Sequence, residues 1–195
     1  MRTLTLITLG LAAVSCGLAR AELEIVENGG FESGVLYPWT AQELRLNYGG
    51  GGHSGNYCAW MASDQYTVEG WIKENLDRTY FPSEVRNASF WVYPDLYSTR
   101  NGGRTPCYTY AYIALGDNTY GTGDFYGLGE TWQEVEMPLN YVTTPFNYVY
   151  VNVNITVTGA PPPYNLYGAV DDISVMITGT SVSPTSLGRV KALYR

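Results

Sequence analysis

Tyr148-Val149-Tyr150-Val151-Asn152-Val153-Asn154-Ile155-Thr156-Val157 decides the fold of this chain. Side chains of an extended strand alternate between its two faces, so Val149, Val151, Val153, Ile155 and Val157 share one side. Tyr148, Tyr150, Asn152, Asn154 and Thr156 take the other. The valine side is a core face. The same split recurs upstream: Ala111, Ile113 and Leu115 oppose Tyr108, Tyr110 and Tyr112, and Phe90 and Val92 oppose Ser89, Trp91 and Tyr93. At least three strands therefore hold large aromatics away from the core, where a merely solvated face would carry Lys, Glu and Thr.

Working outward, period-two alternation fills almost every stretch between turn signals, and a sustained period of 3.6 is nearly absent. Strands are expected over Leu23 to Glu27, Ala41 to Tyr48, Tyr57 to Met61, Gly70 to Leu76, Val85 to Tyr93, Cys107 to Leu115, Thr131 to Leu139, Tyr148 to Thr158 and Gly168 to Ile177. The glycine-rich run 49–55, Asn101-Gly102-Gly103, Gly121-Thr122-Gly123 and Pro161-Pro162-Pro163 read as connections. Short strands at this spacing predict an all-β fold, a jelly-roll β-sandwich of two antiparallel sheets, as one domain over 22–178.

Tyrosine outnumbers phenylalanine by 18 to 5, and it combines an apolar ring face with a polar rim. Sugars have the complementary form, with C–H faces that stack on rings and hydroxyls that need donors and acceptors. Trp91, Tyr93, Tyr108, Tyr110, Tyr112, Tyr148, Tyr150, Asn152 and Asn154 are accordingly the candidate carbohydrate-binding residues, expected on one shared groove. Cross-strand aromatic pairs also stabilise sheets without any ligand, by ~0.2–1 kcal/mol each. Pro94 to Pro106, long for a hairpin connection, offers Tyr97, Arg100, Asn101 and Arg104 as an alternative rim site.

Residues 1–21 read as a signal peptide: Arg2, an apolar run from Leu4 to Val14, and Ala19-Arg20-Ala21 at the cleavage point. A secreted or cell-surface protein is expected, with Ala13-Val14-Ser15-Cys16 a poor lipobox that would instead tether it. No apolar run approaches the ~20 residues of a membrane span. Loss of Arg2 and Arg20 takes the net charge from −7 to −9, which repels nucleic acid, anionic lipid and acidic polysaccharide. Oxidising export favours a Cys58–Cys107 disulfide. Strand parity opposes it, since Cys58 alternates with Ala59 and Met61 whereas Cys107 shares the core parity of Ala111 and Ile113; two separate thiols are the alternative. Residues 179–195 read as a linker and a short basic tail.

In order along the chain, N-G-G-F-E-S-G at 28–34, Trp39, H-S-G-N-Y at 53–57, S-F-W-V-Y at 89–93, T-W-Q-E-V at 131–135 and V-D-D-I-S-V at 170–175 resemble galactose-binding-like jelly rolls, in particular carbohydrate-binding modules of families four, nine and twenty-two. The resemblance covers about 24–178. It implies a structural calcium joining the opening segment to the last strand, with Glu32, Asp171 and Asp172 as carboxylate ligands and carbonyls near Asn28 and Gly30. His53, the single histidine, is expected to serve its turn, because a zinc site needs companions it lacks. Trp132 is expected to pack on the sandwich.

These features together predict a non-catalytic protein that binds a neutral polysaccharide or glycan by stacking and hydrogen bonds. A structural or adhesive exoprotein is the alternative. An enzyme of the glycan hydrolase or lyase type would need two carboxyls across a cleft, for which Glu134 and Glu136 are candidates on one strand face.

Overall fold

The computed structural model describes residues 22–48, 51–65, 67–94, 97–100, 103–121, 131–157 and 166–179. In chain order the strands are β1 (Glu22–Glu24), β2 (Thr40–Gln42), β3 (Arg45–Tyr48), β4 (Tyr57–Ser63), β5 (Thr67–Tyr80), β6 (Val85–Tyr93), β7 (Tyr97–Arg100), β8 (Gly103–Leu115), β9 (Asn118–Gly121), β10 (Gln133–Glu136), β11 (Phe146–Val157) and β12 (Leu166–Thr178). One sheet runs β10-β6-β12-β4-β3, with β1 also on β12; the other runs β2-β5-β11-β8-β7, with β9 also on β8. Every pairing is antiparallel. This is the expected two-sheet sandwich.

The valine face of β11 is the floor of the core. Val149, Val151, Val153 and Ile155 are fully buried and belong to one apolar cluster with Phe90, Val92, Val170 and Val175 of the facing sheet. Burying each such side chain contributes about 1.5–3 kcal/mol, which fixes the register: a one-residue slip would turn the whole set outward.

Three departures from the sequence expectation matter. Ala41 to Tyr48 is two strands in different sheets, because Glu43 takes a left-handed backbone (φ 60°) and the chain crosses the sandwich there. Leu44, buried beside the kink, anchors the crossing in the core. Pro94 to Pro106 is no simple loop: β7 pairs with the start of β8, Tyr97 opposite Pro106 and Arg100 opposite Gly103. Alternation there is hidden by Gly and Pro. Finally β9, too short to read from sequence, is held behind the β8 turn by Asn118, whose amide donates to the carbonyls of Leu115 (2.7 Å) and Thr144 (2.9 Å).

The Cys58–Cys107 disulfide is not formed, and both side chains are buried. Cys107 points into the core from β8, whereas Cys58 points out of the opposite sheet toward Asn47 and Asp171. Sheets stack ~10 Å apart, and side chains directed this way cannot bring their Cα atoms within the roughly 4.4–6.8 Å that a bridge spans. Strand parity, read as the objection in the sequence, prevails. The signal peptide 1–21, Asn101 and the tail from 180 lie outside the described residues.

Candidate functional site

The outer face of the β5-β11-β8 sheet is built in rows. Register places Gln42, Trp71, Asn152, Tyr112 and Gly121 side by side across five strands, with Thr40, Lys73, Tyr150, Ala114 and Thr119 as the next row. Each of the central residues alternates with a core residue on its own strand, Trp71 with Ile72 and Tyr112 with Ile113, so core burial is what turns the rings outward.

Four rings form a continuous run. Trp71 and Tyr150 have centroids 5.7 Å apart at 30°, Tyr150 and Tyr112 5.8 Å at 33°, and Tyr112 and Tyr110 5.9 Å at 43°. Trp71, Tyr150 and Tyr112 come from three neighbouring strands, and Tyr110 lies two residues from Tyr112 along β8. An open groove of about 550 Å³ lies beside the first three of these rings, lined by Trp71, Lys73, Tyr112, Asp117, Tyr148 and Tyr150 among others, with Tyr110 beyond its lining.

A hydrogen-bonded network sets the rings. Asn152, 1% exposed, donates from Nδ2 to Glu69 Oε1 at 2.7 Å and lies 3.3 Å from the Tyr150 hydroxyl. Burial, and then a hydrogen bond with Tyr150, push the Tyr112 phenol above its ordinary range. Trp71 donates from Nε1 to Gln42 Oε1 at 3.1 Å, and the Lys73 ammonium stands 4.1 Å over the Tyr148 ring. Gly121 leaves the space that the Tyr110 hydroxyl occupies; a Cβ there would collide with it.

Seven of the nine sequence-predicted residues, Tyr108, Tyr110, Tyr112, Tyr148, Tyr150, Asn152 and Asn154, share this face. Asn152 is a buried support within it. Trp91 and Tyr93 are not there: they lie on β6, on the outer face of the other sheet, so the single groove expected from sequence is corrected to two faces on opposite sides of the sandwich. Trp71, Lys73 and Glu69 were missed. Parity within Gly70 to Leu76 was the available signal for Trp71, since Gly70 and Ile72 on either side are buried. Glu134 and Glu136, the carboxyls considered for hydrolysis, are exposed on edge strand β10, far from this groove.

On the other outer face, Asp171 and Asp172 straddle a bulge in β12 where pairing with β6 shifts register and Asp172 takes φ 45°. The bulge lets both carboxylates serve one loop. Asp171 Oδ2 accepts the amides of His53 (2.7 Å) and Ser54 (3.4 Å), and Oδ1 accepts that of Asp172 (2.8 Å). Asp172 bonds His53 Nδ1 (2.7 Å) and the Ser54 hydroxyl (2.5 Å), while Glu32 Oε1 accepts the amides of Asn56 (3.0 Å) and Tyr57 (2.9 Å). Burial pushes the Asp171 carboxyl up to about 6, against the amides that hold it down. Ser54 bonds the aspartate and not the imidazole, so the trio is not a nucleophile relay.

Calcium requires six to eight oxygens converging on one point. Here five of the six oxygens of Glu32, Asp171 and Asp172 accept N–H or O–H donors, and no three His, Cys, Asp or Glu side chains among the described residues converge. As arranged, the set does not fit a calcium cage and is a hydrogen-bonded clamp. The same join is reinforced by the Ile173 amide, which donates to Gly29 O at 3.1 Å.

No family model matches the sequence, and no curated protein matches it. Among solved structures the fold is similar to TmCBM61 in complex with β-1,4-galactotriose, at 15% identity over 78% of this chain and 97% of that one, with a TM-score of 0.53. It is similar to CBM27-1 of Caldicellulosiruptor saccharolyticus in complex with mannohexaose, at 9% identity, 83% and 99% coverage and a TM-score of 0.52. It is also similar to the enzymatically active domain of tailspike protein 4 of bacteriophage CBA120, at 12% identity and a TM-score of 0.50, covering 79% of this chain and 21% of that one. At these identities the likeness is one of fold: the chain has the β-sandwich architecture found in carbohydrate-binding modules.

Proposed function

We propose that this is a secreted, non-catalytic protein that binds a neutral glycan along the outer face of β5, β11 and β8. The observation that carries it is the run Trp71–Tyr150–Tyr112–Tyr110, whose ring faces suit the C–H faces of successive sugars while Glu69, Asn154 and the phenols supply partners for hydroxyls. Rings inclined to one another by 30° to 43° suit a single glycan chain better than a flat crystalline surface. A shallow open face buries little area, so affinity is micromolar or weaker. Two proteins of similar fold were solved with bound oligosaccharides, which supports the ligand class. Lack of catalysis is supported by position: Glu134 and Glu136 are remote from the groove, and Glu69 is engaged by Asn152. Export is supported by the character of residues 1–21.

The test is a glycan array with the wild type and the Trp71→Ala/Tyr150→Ala variant, with folding of the variant checked by circular dichroism. Binding to a neutral glycan, weakened at least about tenfold in the variant, is expected, since each lost ring contact is worth on the order of 1 kcal/mol. Equal binding by both proteins refutes the groove, and an array without a single neutral binder returns the protein to the structural or adhesive class.

A further inference from the structure

The outer face of the other sheet carries aromatic rings that the groove does not use. Trp132 just before β10, Tyr93 on β6, Tyr167 on β12 and Trp60 on β4 contribute one ring from each of four neighbouring strands. In that order the centroids are 5.7, 5.7 and 5.6 Å apart. All four are half-buried. Tyr93 and Trp60 flank Ala169 in one row, and Tyr167 stands two residues from it along β12; the Trp132–Tyr93 and Tyr93–Tyr167 pairs meet edge to face (70° and 74°) and the Trp60–Tyr167 pair at 32°. Three strand spacings cover about 14 Å, the length of a short oligosaccharide.

These rings also cover the sheet beneath them: the outward Cys58 and Ala169 are fully buried, and Trp132 stands edge-on to His53 at 5.9 Å. The clamp around Asp171 is served by His53 and Trp91, which stack on each other at one margin, whereas Trp60, Tyr167 and Tyr93 extend away from it over Ala169, which lies between Trp60 and Tyr93 in the ladder. Chemistry of the surroundings selects the occupant. Outward positions of β4, β10 and the stretches 89–93 and 167–171 hold rings, small residues and carboxylates, and none is Leu, Ile or Val. A protein interface core would be built with such aliphatic groups in company with rings. Exposed Glu134 beside Trp91 and exposed Arg45 beside Trp60 offer instead the acceptor and donors that hydroxyls seek.

We infer that this face is a second glycan-binding surface, so that one domain engages two chains on opposite sides and bridges them. The choice of a glycan rests on the same chemistry as the groove, but on different rings, and the two can fail separately.

Native electrophoresis through gels holding soluble β-1,4-galactan, β-mannan or mixed-linkage β-glucan tests it, using the wild type, Trp60→Ala/Trp132→Ala, Trp71→Ala/Tyr150→Ala and the combined variant. In a gel that retards the wild type, each double variant is expected to lose part of the retardation and the combined variant all of it, and only the wild type should raise the turbidity of the polysaccharide solution by cross-linking. If Trp60→Ala/Trp132→Ala migrates as the wild type and Trp71→Ala/Tyr150→Ala is unretarded, the second face is refuted and the groove stands. The reverse pattern refutes the groove and keeps the second face. No retardation of the wild type in any gel refutes the second face. Should the double variant fail to fold, Trp132→Leu, which keeps apolar volume and removes the π face, serves in its place.

Discussion

His53 lies flat on Trp91, centroids 3.7 Å apart and planes inclined by 12°, while its Nδ1 sits 2.7 Å from Asp172 Oδ2. One side chain thereby pins the glycine-bearing loop 51–56 to two strands. His53→Ala removes the stack and one charge-assisted hydrogen bond, and should cost about 1–3 kcal/mol in chemical denaturation. Unchanged stability would show that the backbone amides alone hold the loop.

The cysteines give a sharper test. Both are buried, Cys107 in the core between the sheets and Cys58 on the outer side of the β4 sheet, and burial together with Asp171 pushes the Cys58 thiol up to about 11. A bulky thiol reagent should label neither in the native mature protein and both after denaturation without reductant. Labelling that requires reductant would restore the bridge.

Glu74 points inward from β5, 3% exposed, with both carboxylate oxygens accepting the Glu27 amide at 3.2 Å. Burial, aided by the charges of Glu27 and Glu24, pushes it up to about 7 from 4.5. A carboxyl raised on folding stabilises fully below its unfolded value, and that contribution is lost as pH rises through the folded one. Stability should therefore fall between about pH 5 and pH 8, by up to roughly 3 kcal/mol from this group. Glu74→Gln, which stays neutral and can still accept the amide, should flatten the slope; an unchanged profile would assign it elsewhere.

The clamp closes through donors, so dialysis against EDTA should leave the melting temperature unchanged, whereas Glu32→Ala strands the amides of Asn56 and Tyr57 and should cost about 1–3 kcal/mol. A drop on chelation that calcium reverses would put the ion back into the clamp.

Gly121 and Tyr110 are coupled by space. Gly121→Ala should displace the Tyr110 ring with little change in stability and weaken glycan retention as much as Tyr110→Ala does, the two changes together adding nothing further. Additive losses would mean that Gly121 acts through something other than Tyr110.

Much of this was legible before any coordinates. Alternation in 148–157 gave the core face and the outward rings, because burial of five aliphatic side chains outweighs every other preference of that strand. Parity alone separated the two cysteines. Trp71 was within reach of the same reasoning, since Gly70 and Ile72 flank it, but a lone ring in a strand otherwise rich in charge does not announce itself. The bulge at Asp171-Asp172 and the kink at Glu43 were invisible, because each depends on φ values that Asp and Glu rarely adopt and that only surrounding contacts enforce.

Sequence by itself determined which residues face inward on each strand, because side-chain alternation is a property of the local backbone. Which strands lie side by side, and hence that Trp91 and Tyr93 part company with Tyr112 and Tyr150, was decided only by tertiary structure. Pairing partners are chosen by long-range hydrogen bonds and core packing, and period-two alternation is the same in either sheet.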